Sequence, residues 1–232
     1  MVGTVTRSVR ASSRDGAPGL AAERAFWRAG LRRVAGVDEV GRGALAGPLV
    51  AAAVILPCCE GAALRRLRAT LAGVRDSKLL PAERRRALMG PICAVAEAVA
   101  IGVVEADELD AIGLGAANRQ AMERAALALP VVADALVLDA CVLDLGLPQV
   151  GLIDGDAICL SIAAASIVAK VARDRFMTEG DGADPRYGFA AHKGYASALH
   201  QERLTLHGPG PLHRRCFGPV AACRREGNEG RG

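Results

Sequence analysis

Aromatic residues are scarce: one Trp, two Tyr and four Phe make up 3% of a 232-residue chain that is 51% hydrophobic. A core with so few large rings has to be filled by Ala, Val, Leu and Ile at close range. Long apolar runs are also missing. The longest, Leu49 to Cys59 and Ala157 to Ala169, fall short of the ~20 residues that a membrane-spanning helix needs, so a soluble protein with no membrane partner is expected. No C-x-x-C occurs among the seven cysteines, and their odd number and the adjacent Cys58-Cys59 pair fit neither a secreted disulfide framework nor a zinc site. Reduced thiols and a cytoplasmic location are expected instead. Histidine is confined to His192, His200, His207 and His213, at gaps of 8, 7 and 6 residues. Zinc binding on a helix would want two of them three or four apart, so ordinary polar contacts are expected. The formal net charge of +4 is too modest to identify a nucleic-acid partner alone.

The length suits one domain of ordinary size with a small appendage. The first two dozen residues contain Arg7, Arg10, Ser12, Ser13, Arg14 and a turn-like Asp15-Gly16-Ala17-Pro18-Gly19. They lack the apolar stretch of a secretory signal and the amphipathic face of a transit peptide, and 1–20 reads as a disordered leader. The spacing predicts a helix over 21–31 anchored by Phe26 and Trp27, then strands over 34–40 and 49–56. The second is continuously apolar and so buried on both faces. The short turn between them suggests an antiparallel pair.

Arginine-bearing helices follow over 62–71 and from Pro81, separated by the loop Asp76-Ser77-Lys78; each arginine run reads as a solvated helix face. A third strand is predicted over 99–104. A long helix capped by Asp107 then runs to 129, weakened by Gly113 and Gly115. Strands over 135–139 and 150–153 precede a helix over 161–177, whose Ala163-Ala164-Ala165-Ser166 run lets it lie close to a sheet. From about Thr178 the texture becomes polar and Gly/Pro-punctuated, so the organisation expected is a core over 21–177, a C-terminal extension over 178–222 and a flexible tail over 223–232.

The chemistry concentrates in Gly36-Val37-Asp38-Glu39-Val40-Gly41-Arg42-Gly43. Two adjacent carboxylates close a β-branched run, and the Gly-Arg-Gly turn after them offers backbone amides and a guanidinium to a phosphate or sugar. The carboxylates alone would repel such a ligand, whereas a divalent cation held by them would attract it. Two further strand ends deliver Asp139 and Asp156, with Asp154 as the turn residue of its Asp-Gly-Asp. If the strands lie side by side, the carboxylates converge on one sheet edge, where ligands bind in α/β folds. Neighbouring residues of a regular strand face opposite ways, so Asp38 and Glu39 can serve one metal only if the strand ends, bulges or offers a carbonyl there.

These residues resemble a known family. The segment 37–43 with Leu45-Ala46-Gly47-Pro48, then Asp76-Ser77-Lys78, Gly155-Asp156, Ala163 to Lys170, Arg173-Asp174, His192-Lys193-Gly194-Tyr195 and finally His213-Arg214 with Phe217 and Pro219 together look like bacterial ribonuclease HII. The likeness runs from about Ala35 to Val220, and several motifs in order are far more specific than any one. It implies an α/β fold of the ribonuclease H-like type, a mixed five-stranded sheet flanked by helices, with a small helical C-terminal extension. It implies an endonuclease that cuts the RNA strand of RNA/DNA hybrids and DNA duplexes 5′ to a single embedded ribonucleotide, a step of ribonucleotide excision repair, leaving 3′-hydroxyl and 5′-phosphate ends.

The metal ligands implied are Asp38, Glu39, Asp139 and Asp156, holding two Mg²⁺ or Mn²⁺ ions, with Asp174 the alternative to Asp156. Gly41, Arg42 and Gly43 would read the ribose 2′-hydroxyl, Tyr195 would pack on the neighbouring deoxyribose, and Asp76, Ser77 and Lys78 would hold a phosphate. Physical chemistry supports these roles, because discrimination of RNA from DNA rests on the 2′-hydroxyl and Gly-flanked backbone approaches a sugar closely. Two departures stand out: Ala140 follows Asp139 where Gly is usual, and Leu80 replaces the usual Ser before Pro81. A monomer is expected. The rival readings are another two-metal nuclease of this fold and a catalytically inactive nucleic-acid-binding protein. The second would gain nothing from four carboxylates placed beside phosphates.

Overall fold

The computed structural model describes residues 17–229, so most of the expected leader and the last three residues of the expected tail lie outside the described residues. The described residues fall into two compact units. The first takes residues up to Glu39, Ala51–Gly102 and Met122–Val171; the second takes Val40–Val50, Val103–Ala121 and residues from Ala172 on.

Five strands, β1 (Val34–Val40), β2 (Leu49–Ile55), β3 (Ala98–Val104), β4 (Ala135–Asp139) and β5 (Gln149–Leu152), form one sheet in the order β3-β2-β1-β4-β5. Strand β1 runs parallel to β4 with Val37 opposite Leu138, and β4 runs parallel to β5 with Asp139 opposite Leu152. Every residue of β2 is buried, as its unbroken apolar sequence requires.

Helices α1 (Ala21–Arg28), α2 (Gly61–Thr70), α3 (Ala82–Val95), α4 (Ala106–Ile112), α5 (Leu114–Leu127), α6 (Gly155–Ile158) and α7 (Leu160–Ala183) follow in chain order among the strands. The last three are α8 (Phe189–His192), α9 (Ala198–His207) and α10 (Gly218–Glu229). The small-residue start of α7 is what lets it approach β1. A Cβ on Gly36 would stand 2.3 Å from the carbonyl carbon of Ser161, and Ala163, Ala164 and Ala165 are fully buried. Buried Glu23 of α1 reaches the same place, its Oε1 accepting from the Ser161 amide (3.0 Å) and hydroxyl (2.8 Å). That satisfies a helix-start amide with a side chain from a distant part of the chain.

Several boundaries differ from expectation. The end of the expected leader is ordered: Leu20 is buried, and Gly19 exchanges backbone bonds with Ile158 and Leu160 at 2.9 and 2.7 Å. An apolar side chain at position 20 is what anchors it. The single helix predicted over 107–129 is two, because Gly113 takes φ +80° and ends α4. Glu105 stands at the α4 N-cap position without a side-chain bond, while the Asp107 carboxylate accepts from the Glu108 amide at 2.8 Å. Pro81 likewise stands at the α3 N-cap position with no side-chain cap. Helix α7 passes Met177 to reach Ala183, and 223–229, read as tail, belong to α10. Among the described residues no helix is long and apolar enough to cross a membrane.

Candidate active site

Parallel register brings the first carboxylates together. With Val37 opposite Leu138, Asp38 and Asp139 fall side by side at the C-terminal ends of β1 and β4, about 5 Å apart at the strand spacing. Asp156 is displaced from the position expected of it. β5 ends at Leu152, a turn through left-handed Asp154 (φ +55°) follows, and Asp156 lies in the first turn of α6. Asp154 is exposed and Asp156 is buried. Gly155 joins the two strands' ends: its amide donates to Asp139 Oδ1 at 2.7 Å, and a Cβ there would stand 2.7 Å from Ile162 Cδ1.

Asp38 is buried, and its Oδ1 accepts from the Glu39 amide at 2.8 Å. β1 stays regular through Glu39 to Val40, and the irregularity expected near Glu39 comes one residue after the strand, at Gly41 with φ +98°. By alternation the Asp38 and Glu39 side chains therefore leave on opposite faces. Behind Asp38 lies a serine pair, and the pairing of Ser77 with Ser166 carries no signature in the sequence motifs. Ser166 of α7 hydrogen-bonds the Asp38 carboxylate and stands 2.9 Å, Oγ to Oγ, from buried Ser77. Asp76 caps the short 3-10 turn Ser77–Leu79 by accepting from the Lys78 amide at 2.9 Å, and the exposed Lys78 ammonium lies 3.3 Å from Asp156 Oδ2.

The carboxylates strain against one another. Burial, then the charge of Glu39, push Asp38 well above the usual carboxylate range, and Asp139 and Asp156 add to the push. Burial likewise raises Asp139 and Asp156, against the pull of the Gly155 amide on the first and of Lys78 on the second. The site thus holds more negative charge than Lys78 offsets, and a cation is the ligand such a donor set suits. Among the described residues no three His, Cys, Asp or Glu side chains form a ready-made metal cage. Asp38, Asp139 and Asp156 are instead each engaged by a donor of their own, the Glu39 amide, the Gly155 amide and the Lys78 ammonium. Mg²⁺ fits that arrangement, since it commonly takes one or two carboxylates and completes its shell with water and substrate phosphate oxygens.

The second unit contains Gly41, Arg42, Gly43 and Tyr195. A Cβ on Gly41 would stand 2.3 Å from Arg173 Nε, whereas nothing lies within 4 Å of a Cβ built on Gly43. Two fully buried arginines hold this segment by its carbonyls. Arg214 donates to Gly41 O (2.6 Å), Arg42 O (3.2 Å) and Gly47 O (2.9 Å). Arg173 donates to Pro48 O (2.9 Å), Ala46 O (3.0 Å) and Lys193 O (2.9 Å). The Arg173 guanidinium also lies 5.2 Å from the centre of the half-exposed Tyr195 ring. The motifs Arg173-Asp174 and His213-Arg214 marked these arginines as features, but their partners are backbone carbonyls, which carry no signature in a sequence. Asp174, the alternative ligand, lies on α7 with its carbonyl accepting from Thr178 Oγ1 at 2.8 Å.

Comparison with known proteins agrees with this architecture. The family model described as ribonuclease HII matches residues 35–220. The chain is 51% identical over 209 residues to ribonuclease HII of Herpetosiphon aurantiacus, covering 88% of this chain and 97% of that protein. It is 52% identical over 208 residues to ribonuclease HII of Roseiflexus castenholzii, covering 88% and 89%. Among solved structures it resembles ribonuclease H2 from Pyrococcus horikoshii OT3, with a TM-score of 0.71 at 25% identity over 85% of this chain and 99% of that one. The fold also matches Bst-RNase HIII in complex with Mn²⁺, with a TM-score of 0.64 at 19% identity over 94% and 78%. The sheet order, the carboxylates at its strand ends and these matches lead to one conclusion: the chain belongs to the ribonuclease HII family, enzymes that hydrolyse nucleic acid as endonucleases.

Proposed function

We propose that this ribonuclease cuts the RNA strand of RNA/DNA hybrids and cuts duplex DNA 5′ to a single embedded ribonucleotide, using two divalent cations held at Asp38, Glu39, Asp139 and Asp156. The observation that carries the reading is the cluster of carboxylates formed by Asp38 and Asp139 at neighbouring strand ends and Asp156 in the first turn of α6, all raised above the usual carboxylate range by burial and neighbouring negative charge. When bound, Mg²⁺ or Mn²⁺ would supply an activated water and stabilise the departing 3′-oxygen of an in-line displacement. The chain's own part is placement. Ser166 and the Glu39 amide fix the Asp38 carboxylate, and the Gly155 amide fixes that of Asp139. Lys78, paired with Asp156, carries an exposed charge for a backbone phosphate, with Asp76 and Ser77 holding its turn.

Recognition of the ribose falls to Gly41, Arg42 and Gly43. Arg214 occupies the carbonyls of Gly41 and Arg42, and the open space at Gly43 lets a sugar edge approach the main chain. Tyr195 offers its exposed ring to the neighbouring deoxyribose. Residues 178–222 thereby serve substrate binding, and the activity suits ribonucleotide excision repair in the cytoplasm.

Carboxylate-to-amide variants test the assignment. Asp38→Asn, Asp139→Asn and Asp156→Asn should each lower kcat on a hybrid by about 100-fold or more, since a ligand lost from a two-metal site costs several kcal/mol of transition-state stabilisation. Asp174→Asn should cost less than tenfold, an estimate of roughly 1 kcal/mol or less. Equal losses for Asp156→Asn and Asp174→Asn would transfer the fourth ligand to Asp174. Binding of hybrid without cleavage by the unaltered protein, in either Mg²⁺ or Mn²⁺, would move the chain to the inactive binding class.

A further inference from the structure

Three of the four histidines form a chain in the second unit whose proton positions are dictated by backbone groups. The Gly194 amide donates to His192 Nδ1 at 3.2 Å, so His192 carries its proton on Nε2, which donates to the Tyr187 carbonyl at 2.9 Å. The Gly210 amide donates to His213 Nδ1 at 3.0 Å, so His213 also carries its proton on Nε2. That proton faces His200 Nε2 at 3.1 Å. His200 must then be protonated on Nδ1, which donates to the Tyr195 carbonyl at 2.9 Å. No other assignment satisfies every N–H, and in this one all three rings are neutral. The His192 and His200 rings stack at 4.4 Å with 12° between their planes, an arrangement in which two imidazolium charges would oppose each other. His200 and His213 are buried, and Phe189 stands edge-on to His200 at 5.6 Å.

The chain of rings ends on the turn Lys193-Gly194-Tyr195. Lys193 and Gly194 take φ +52° and +80°, and a Cβ on Gly194 would stand 2.4 Å from Ala46 O. The Gly194 amide and the Tyr195 carbonyl are held by imidazoles, while the Gly194 carbonyl accepts from the amides of Leu45 (2.8 Å) and Ala46 (3.3 Å). Those amides come two and three residues after Gly43. One turn therefore fixes both the Tyr195 ring and the main chain that follows the Gly-Arg-Gly segment.

We propose that His200 and His213 are positioning residues for substrate recognition, a tautomer-ordered pair that holds the Tyr195 turn in the geometry that binds the sugar beside the cut. This rests on the reading of Tyr195 as the deoxyribose platform. The role depends on a proton at one ring nitrogen of His200. An Asn side chain places an N–H near the Nδ1 position; a Gln side chain reaches the Nε2 position instead.

The test compares Michaelis constants on a DNA duplex containing one ribonucleotide, with Mg²⁺ present. His200→Gln should raise KM about tenfold, the worth of one well-placed hydrogen bond, with kcat changed by less than about twofold. His200→Asn should keep KM within about threefold of the unaltered enzyme, again on the hydrogen-bond scale. A purely structural role would not separate the two amides, so equal KM values for both variants would overturn the proposal. Nitrogen-15 NMR of the imidazoles in the unaltered protein needs no variant to fold. It should find the proton on Nδ1 of His200 and on Nε2 of His192 and His213, and a proton on Nε2 of His200 would overturn the proposal outright. Tyr195→Ala with an unchanged KM would remove the platform reading, and the proposal with it, while leaving the tautomer pattern intact; the two failures are thereby told apart.

Discussion

Ala140, directly after Asp139, takes φ +49°, a left-handed conformation that costs an L-residue ~1–2 kcal/mol. The departure from the usual Gly is therefore stored as backbone strain beside a site carboxylate. Ala140→Gly should stabilise the protein by ~0.5–1 kcal/mol after the entropy cost of Gly, read as a rise of about 2 °C in Tm. Asp38 makes the converse case. Its raised pKa means that the folded state takes up a proton more readily than the unfolded one, so this group costs stability at neutral pH and gives it back as pH falls toward 3.8. Asp38→Asn removes that cost and can still accept the Glu39 amide bond, so this variant, expected to lose activity, should melt at a higher temperature than the unaltered protein at neutral pH. A lower Tm would show that the carboxylate is held by stabilising partners.

Elements carry a second set of consequences. Gly36 of β1 lies under the first turn of α7, and the 2.3 Å approach of a built Cβ to the Ser161 carbonyl carbon leaves no flexible neighbour to give way. Gly36→Ala should destabilise the protein by about 3 kcal/mol, the upper range for overpacking, measured by urea unfolding. The histidine chain between α8 and the segment before α10 adds a pH dependence. Burial, then the neighbouring His200, hold His213 at about 4 against an ordinary 6.5. The unfolded chain therefore binds the proton first, so the stability contribution is complete above pH 6.5, falls between pH 6.5 and about 4, and is level below. The loss is on the order of 3 kcal/mol. His213→Gln should flatten that limb of the stability curve; an unchanged limb would assign it to other groups.

Element positions were legible where periodicity and composition agreed, and β1 matches its predicted bounds. What the pattern did not resolve was the break at Gly113 between α4 and α5, because a glycine inside a helical stretch is sometimes tolerated and only the tertiary context decides. The burial of Leu20 was similarly hidden, since one apolar residue after a polar leader carries no period.

At the scale of the whole molecule, the sequence pattern placed Asp38 and Asp139 at strand ends, and parallel pairing of β1 with β4 brings those two ends to one edge, while Asp156 comes from the first turn of α6 after β5. The supports of the site were not readable. Arg173 reaches a carbonyl 127 residues away and Arg214 one 173 residues away, and Ser77 meets Ser166 across 89 residues. Such contacts follow from the completed fold and not from any local pattern. The same excess of negative charge makes the molecule a linkage sensor: Mg²⁺ bound only by the folded state should raise Tm, by about 2.7 kcal/mol of stability at a hundredfold excess over Kd. Asp38→Asn should lose most of that shift, and an equal shift in both proteins would place the cation elsewhere.

The most direct measurement uses a DNA duplex with one ribonucleotide, incubated with the unaltered protein and Mg²⁺ beside an all-DNA duplex and the Asp38→Asn variant, the cut position being mapped at single-nucleotide resolution. The account predicts one cut on the 5′ side of the ribonucleotide, leaving 3′-hydroxyl and 5′-phosphate ends, with no cut in the all-DNA duplex or by the variant. Cleavage of long hybrids alone, with the single ribonucleotide left intact, would contradict the roles given to Gly41, Arg42, Gly43 and Tyr195.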